Sequence, residues 1–228
     1  MNIKMSKKNF LVTLDNNTGN LFCGALPLFL ITFLDAFLFS YSKLSIDTHF
    51  GDIYNGLYSI AFMPTNAIYL LMTLFMKPLL TPLANAYNND KKLYNSILLK
   101  TFLIALSIAI ISIIAVLIFG KYYFSIIEFV LNNTYADFLN VATKILTIVI
   151  IGGSFYTICT PMYFALIIEE KRNYLLIAYI IAAIITIFST RVIVERYGMF
   201  GCAYSFVVSM FFVFFNIVVA WGMSKIIK

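Results

Sequence analysis

Charged residues are scarce in this chain, and their scarcity argues against a soluble globular protein. Only 11% of the 228 residues are charged, whereas 62% are hydrophobic. Soluble domains carry about 25% charged residues. Histidine and cysteine are also rare, with one histidine and three cysteines. The composition therefore favours a membrane protein and leaves few residues that could ligate a metal.

The rare residues give no pattern of metal ligation. His49 is followed by Asp52 and preceded by Asp47 in an expected loop, and one histidine with two loop carboxylates is a weak basis for a metal site. The cysteines fall in apolar segments without disulfide or metal-ligand spacing, so we expect small buried apolar side chains. They are Cys23, Cys159 and Cys202. The sequence predicts no metal and no cofactor.

Catalytic motifs are missing as well. No carboxylate pair accompanies a histidine in the apolar segments, no Gly-Lys-Ser loop could cradle a phosphate, and no haem or zinc spacing occurs. We therefore expect a protein that is not an enzyme.

Six long apolar segments fill almost the whole chain. A helix that crosses a bilayer needs about 20 mostly apolar residues. The segments are 21–41, 53–75, 97–119, 145–168, 174–194 and 199–221. They predict an all-α integral membrane protein with six transmembrane helices over 21–228, preceded by a polar cytoplasmic segment over 1–20.

The positive charges predict the orientation. If the N-terminus is cytoplasmic, 11 of the 16 lysines and arginines lie on that side and 5 on the other, and this excess places both termini inside the cell. The larger group is Lys4, Lys7, Lys8, Lys77, Lys91, Lys92, Lys100, Lys171, Arg172, Lys225 and Lys228. Topology thus explains the net charge of +6 without nucleic acid as a partner.

The connections are predicted to be short. We expect a loop over 42–51, a turn on the cytoplasmic surface over 77–87, where Pro78 and Pro82 break the helix, and a tight turn over 169–172. The aromatic connection over 121–140 predicts a short helix on the outer surface. A glycosylation sequon at 132–134 has little weight because such matches are common by chance.

Asp35 is the most informative polar residue within a predicted span. Intramembrane carboxylates are costly, so they usually face other helices or a wet cavity. Thr32 precedes it by one turn and Ser42 follows by two, on the same helix face. Asp35 could line a transport pathway, or it could be a hydrogen-bonded structural aspartate.

Two stripes of polar and small residues accompany Asp35. The first is Asn66, Tyr69, Thr73 and Lys77, and the second is Gly153, Tyr156, Thr160 and Tyr163. Spacings of three and four place each set on one helix face. Such stripes could line a lumen or help helices to pack closely.

Cations near the predicted membrane boundaries have two interpretations. Arg191, Lys77 and Lys100 could extend to the interface, or they could attract an anionic group such as a phosphate. The substrate-pathway candidates are Asp35, Asn66, Tyr69, Thr73, Lys77, Tyr156, Thr160 and Arg191.

The last connection carries a recognisable motif. Residues 194–203 read Val-Glu-Arg-Tyr-Gly-Met-Phe-Gly-Cys-Ala, in which Gly198 lets the chain reverse and Gly201 lets the next helix pack closely. This segment resembles the Tyr-Gly-x-x-Gly-Ala-Ala hairpin of oligosaccharide flippases in the multidrug/oligosaccharidyl-lipid/polysaccharide exporter superfamily. Residues 26–30, 45–47, 77–81 and 171–179 are similar, in the same order, to Wzx-type polysaccharide and lipopolysaccharide (O-antigen) flippases.

The resemblance implies a function in transport and covers only one lobe of the usual two. It implies translocation of a polyprenyl-diphosphate-linked oligosaccharide across the cytoplasmic (inner) membrane, with membrane lipid and the lipid-linked oligosaccharide as partners. Family members usually have twelve or more spans in two lobes, so we expect a second six-helix lobe, supplied by another chain or by a homodimer. The alternatives are half of a drug or small-solute exporter, or an inactive remnant or assembly partner.

Overall fold

The described residues form five long α-helices. The computed structural model describes the backbone over 7–130 and 139–226, and side chains over 25–46, 49–129 and 140–225. The helices are α1 (Lys7–Phe50), α2 (Asp52–Asn89), α3 (Lys91–Val130), α4 (Leu139–Ile168) and α5 (Arg172–Ile226). All five are long and apolar enough to cross a membrane, which is compatible with a multi-pass membrane protein.

Successive helices are antiparallel and in contact. Across the break at Gly51, Tyr58 of α2 donates a hydrogen bond from its hydroxyl to Ser42 Oγ of α1, at 3.0 Å. Tyr123 of α3 similarly donates to the carbonyl oxygen of Ile60 in α2. The ring centroids of Tyr163 in α4 and Tyr179 in α5 are 6.1 Å apart. Each pair is roughly equidistant in sequence from the break between its helices, so the chain folds back at these three breaks.

The helix α5 is itself folded back at Gly198. A straight helix of its 55 residues would be about 80 Å long, far more than the ~30 Å hydrocarbon core of a bilayer. Gly198 interrupts it with φ 57° and ψ −134°. The Asn216 side-chain amide, 38 residues further along, donates to the Ala178 carbonyl oxygen at 3.3 Å. The two arms of α5 therefore lie antiparallel against each other.

Glycine is required at the turn in α5, as the sequence predicts. The positive φ of Gly198 is unfavourable for residues with a Cβ. At Gly201 an added Cβ would lie 2.5 Å from the Ile193 carbonyl oxygen and 2.8 Å from Val194 Cα. These are backbone atoms with little freedom to move, so Gly201 permits the close approach of the two arms.

The predicted loop over 42–51 is wrong. The helix α1 continues to Phe50, and His49 lies in its last turn rather than in a loop. The nearby Ser42 is buried and accepts the Tyr58 hydrogen bond. This contact favours helix beyond the predicted end at 41, and only Gly51, with φ 83°, interrupts the helical backbone. The Asp47 side chain lies outside the described residues.

The predicted break at Pro78 and Pro82 is also wrong. The helix α2 continues through both prolines to Asn89. Proline removes one helical hydrogen bond, but in membrane helices neighbouring elements can compensate for the loss. Leu83 and Ala86, just beyond the prolines, are buried against Tyr94 and other residues of α3 and α4. The break occurs instead at Asp90, whose carboxylate accepts hydrogen bonds from the first backbone N–H groups of α3.

The aromatic segment after residue 121 is not a separate surface helix within the described residues. Residues up to Val130 continue α3, and α4 begins at Leu139. Phe124 is buried, and Tyr123 is bonded to α2, so this part of α3 belongs to the bundle. The sequon at 132–134 lies outside the described residues.

The tight turn over 169–172 is confirmed, with positive φ at Glu170.

The turns divide the bundle into two ends. The glycine end has the breaks at Gly51 and Gly198, and the lysine end has Asp90, the 169–171 turn and the end of α5. The main core is formed mostly by α1, α2, α4 and α5, with Phe124 from α3, and Cys159 and Cys202 are buried in it as expected. Cys23 has no described side chain. The backbone of 7–20 is the first part of α1, so the predicted N-terminal segment continues into that helix.

Candidate functional site

Asp35 is held by tyrosines from two other helices. Tyr156 of α4 donates a hydrogen bond from its hydroxyl to Asp35 Oδ2 at 2.8 Å. Tyr179 of α5 donates to Asp35 Oδ1, also at 2.8 Å. Both tyrosines are buried, whereas Asp35 is partly buried. One carboxylate thus connects α1, α4 and α5, and each of its oxygens has a donor.

Further aromatic rings surround these three residues. The ring of Tyr69 in α2 lies 5.1 Å from that of Tyr156, and the ring of Tyr163 lies 6.1 Å from that of Tyr179. Phe39, one turn beyond Asp35 in α1, contacts both Tyr69 and Tyr156. We call Asp35, Tyr69, Tyr156, Tyr163 and Tyr179 the aspartate–tyrosine cluster. It brings polar groups from four helices together within an otherwise apolar bundle.

The cluster lies nearer the lysine end than the glycine end. Asp35 precedes Gly51 by sixteen residues, which corresponds to about 24 Å of helix. Its partner Tyr179 follows Lys171 by eight residues, or about 12 Å. With a predicted span over 21–41, Asp35 would lie about two-thirds of the way from the cytoplasmic side to the outer side of the membrane. Because α1 extends to Phe50, Asp35 lies deeper beneath the glycine end than the sequence indicated.

Some of the candidates from the sequence lie around Asp35. Tyr69 and Tyr156 belong to the cluster, and the Thr160 hydroxyl donates to the Tyr156 carbonyl oxygen within α4 at 2.9 Å. Thr73 likewise bonds within its own helix, to the carbonyl oxygen of Tyr69. The two polar stripes therefore meet at Tyr69 and Tyr156, while their threonine hydroxyls satisfy helical carbonyl groups.

The other candidates are not brought to the cluster. Lys77 is exposed two turns beyond Tyr69, and Asn66 is partly buried one turn before Tyr69. Arg191 has a side chain that is 83% exposed, and its Nε lies 3.4 Å from Glu195 Oε1 one turn away. This arginine is therefore a surface residue near the glycine end, and its predicted role in the pathway stays a prediction.

Tyr179 and Tyr163 are not among the candidates predicted from the sequence. Tyr179 lies in a strongly apolar stretch, where a tyrosine hydroxyl needs a partner, and this requirement was the available signal. Tyr163 was part of the α4 stripe. What the sequence could not show is that Asp35 would be the partner, since 144 residues separate it from Tyr179.

The cluster is not suited to bind a metal ion through several protein ligands. No group of three histidine, cysteine, aspartate or glutamate residues comes together in the described part of the chain. The only charged group of the cluster is the single Asp35 carboxylate, surrounded by hydroxyl groups. Such a group can take up and release a proton or attract one cation while the tyrosine hydroxyls reorient around it.

Comparison with protein-family models, with curated proteins and with solved structures finds no match to this chain.

Proposed function

We propose that this chain is part of a flippase that moves a polyprenyl-diphosphate-linked oligosaccharide across the cytoplasmic membrane for cell-surface polysaccharide biosynthesis. The observation that carries the transport role is Asp35, a partly exposed carboxylate within an apolar bundle, bonded to tyrosines of two other helices. Ionisable residues in such surroundings commonly mark ion or substrate pathways. The substrate class comes from the resemblance of the sequence motifs to Wzx-type flippases.

In this proposal the chain is one six-span lobe. The two antiparallel arms of α5 count as two crossings, because each arm of about 27 residues is long enough to cross a bilayer. The excess of lysine at the lysine end supports an orientation with that end and both termini in the cytoplasm. This arrangement supports six crossings from five described helices.

A second lobe would cover α1 and α2 and enclose a cavity between the two lobes. In each of these helices only 17% of the most apolar stretch is buried. The helix α3 is buried still less, but its residues 101–119 contain no ionisable side chain, whereas α1 carries Asp35. On α1, two residues near Asp35 are exposed: Thr32, one turn before it, and Ala36, directly after it. A second six-helix lobe, from a separate chain or a second copy, would bury this face next to Asp35. The two lobes would then rock about the cavity by alternating access.

The experiment is a flipping assay on purified protein in vesicles. A fluorescent polyprenyl-diphosphate oligosaccharide is incorporated, and its exposure on the outer leaflet is followed with a membrane-impermeant quencher under different proton and sodium gradients. We expect the assembled protein to accelerate flipping, and Asp35→Asn to alter the dependence on the ion gradient. Asp52→Asn is the matched control because Asp52 is an exposed carboxylate at the start of α2.

Unchanged transport and unchanged ion dependence in Asp35→Asn would contradict the role of Asp35. Export of a hydrophobic cation in place of the oligosaccharide would indicate the drug-exporter alternative. Absence of flipping even when a second six-helix lobe is supplied would contradict the transport proposal.

A structural role is the second candidate. It is favoured because each carboxylate oxygen of Asp35 already accepts a hydrogen bond from a tyrosine. If Asp35 only connects three helices in an assembly partner, its loss lowers stability and changes no transport. Tyr156→Phe and Tyr179→Phe would then each reduce the free energy of unfolding by about 0.6–1.7 kcal/mol, from the average to the largest value for hydrogen bonds between membrane helices. A transport role requires in addition that Asp35→Asn alter ion dependence in protein that is still folded.

A further inference from the structure

A cavity lined by polar and charged residues, three of them lysines, lies at the lysine end of the bundle, away from Asp35. It has a volume of about 520 Å³. Its lining comes from α2, α3, the 169–171 turn and the end of α5. We call it the lysine pocket, and its charged lining residues are Lys91, Lys171, Lys225 and Glu169.

The positive charge of this pocket is only partly neutralised by carboxylates. Glu169, the one carboxylate in the lining, accepts a hydrogen bond from the Tyr94 hydroxyl at 2.8 Å. Within the described part of the chain, none of the three lysines has a carboxylate partner within 4.0 Å, and the observed ion pair is Arg191–Glu195. Lys171 Nζ donates to the Ser224 carbonyl oxygen, which fixes one ammonium group at the pocket wall. The pocket therefore has an excess of two positive charges.

An apolar groove continues from the lysine pocket along the bundle. It has a volume of about 390 Å³ and shares Asn95 and Lys225 with the pocket. The rest of its lining is Leu98, Leu99, Phe102, Pro161, Met162 and Trp221. From Lys91 to Phe102 the α3 helix advances about 16 Å. The groove therefore leads from the charged end toward the middle of the bundle, the direction in which a lipid chain extends.

The lysine pocket and the apolar groove meet at Lys225, which lies next to Trp221. Lys225 Nζ lies 3.6 Å from the centroid of the Trp221 ring, so the ammonium group sits where the polar and apolar parts meet. The Trp221 Nε1 atom is buried and has no hydrogen-bond partner among the described residues. An indole and a cation at such a boundary are typical of the membrane–water interface.

We infer that the lysine pocket and the apolar groove together bind one anionic phospholipid. The phosphate-bearing headgroup lies among Lys91, Lys171 and Lys225, and an acyl chain lies in the groove against Leu98, Phe102 and Trp221. Charge complementarity selects this occupant, because basic pockets between membrane helices bind anionic headgroups. A zwitterionic lipid would have its own cation opposite three lysines. The site is separate from the aspartate–tyrosine cluster, and the inference does not depend on the flippase proposal.

The single tryptophan of the chain makes this inference directly measurable. The full chain is reconstituted in phosphatidylcholine vesicles that contain equal mole fractions of dibrominated phosphatidylglycerol or dibrominated phosphatidylcholine. Bromine quenches tryptophan fluorescence only at short range, so the quenching of Trp221 reports which lipid occupies the groove. We expect stronger quenching by the brominated phosphatidylglycerol.

Neighbouring lysines provide a matched pair of variants. Lys91 lines the pocket, whereas Lys92 does not, and both are exposed at the start of α3. We expect Lys91→Gln to reduce the preference for phosphatidylglycerol about fivefold, the share expected for one lysine near anionic lipid. Lys92→Gln should leave the preference unchanged. Circular dichroism checks that both variants keep the helical fold.

Three results would overturn the inference. The first is equal quenching by the two brominated lipids in the unmodified chain. The second is an equal loss of preference in Lys91→Gln and Lys92→Gln, which would indicate general surface charge. The third is reversal of the phosphatidylglycerol quenching by soluble glycerol 3-phosphate, which would assign the pocket to a free phosphate ester.

Discussion

The helices α3 and α4 are both strongly apolar, yet they occupy opposite environments. In the most apolar stretch of α4, 67% of the residues are buried within the chain, whereas the corresponding share in α3 is 11%. Of these two stretches, that of α3 has the higher hydropathy, and it is also the more exposed. In a soluble protein the order would be reversed, because water drives the most apolar helix to the centre.

The difference between α3 and α4 lies in small and hydroxyl residues. The helix α4 carries Gly152, Gly153 and Ser154 in sequence, and all three are buried. An added Cβ at Gly152 would lie 2.7 Å from the Phe206 ring, and one at Gly153 would lie 2.5 Å from Thr65 Cγ2. Small residues let helices approach closely where lipid offers no hydrophobic driving force. Close packing, and not apolarity, thus selects the central helix, and the apolar face of α3 is suited to lipid contact.

Truncating one isoleucine in each helix is the strongest test of the difference between α3 and α4. Ile145 of α4 is fully buried, whereas Ile111 of α3 is 64% exposed. Ile145→Ala should lower the free energy of unfolding by about 2–5 kcal/mol because it leaves a cavity. Ile111→Ala leaves no cavity and should be close to neutral. Denaturant titration in mixed micelles measures both, and equal costs would show that α3 is buried against a partner in the assembled protein.

The glycines provide a second test, of intermediate size. Gly153→Ala should destabilise the protein by about 1–3 kcal/mol through overpacking against Thr65. Gly120→Ala in α3 is the matched control, since its nearest neighbours would be 3.8 Å away, and it should be neutral or slightly stabilising. Unfolding of both variants in mixed micelles measures the difference.

A double-mutant cycle makes the glycine test specific to one contact. Thr65→Ala removes the methyl group that an added Cβ would meet, so it should recover most of the loss caused by Gly153→Ala. Strictly additive effects of the two substitutions would contradict the packing of α4 against α2 at this point.

The parts of the fold that could be predicted from sequence depend on local backbone requirements. Gly198 reverses the chain because its backbone has a positive φ, and the sequence Tyr-Gly-Met-Phe-Gly indicated this directly. The prolines show the limit of local reasoning. Pro78 and Pro82 favour a break, but burial of Leu83 and Ala86 against α3 and α4 keeps the helix intact. That packing is a tertiary effect, which the local pattern does not contain.

The candidate site was predictable only in part, for a related reason. Asp35 was identified because a carboxylate in an apolar segment needs a partner. Its partners lie 121 and 144 residues away, and their positions depend on how α4 and α5 pack against α1. The spacing of polar residues shows which helix face carries Tyr69 and which carries Tyr156. The spacing does not show which faces meet, because all the helices are apolar and their packing depends on a few small residues.

The smallest expected effect concerns the direct link between α3 and α4. The Ser154 hydroxyl donates to the Ile150 carbonyl oxygen at 2.8 Å and lies 3.5 Å from the Ala109 carbonyl oxygen of α3. Ser154→Ala should cost about 0.6 kcal/mol, the average for hydrogen bonds between membrane helices. Ser107→Ala is the control, because Ser107 is exposed on α3 and bonds only within its own helix. If both variants lower the free energy of unfolding equally, the hydrogen bond to Ala109 adds no stability. Packing alone then holds α3 against α4, and the position of α3 depends on how closely its surface fits that of α4.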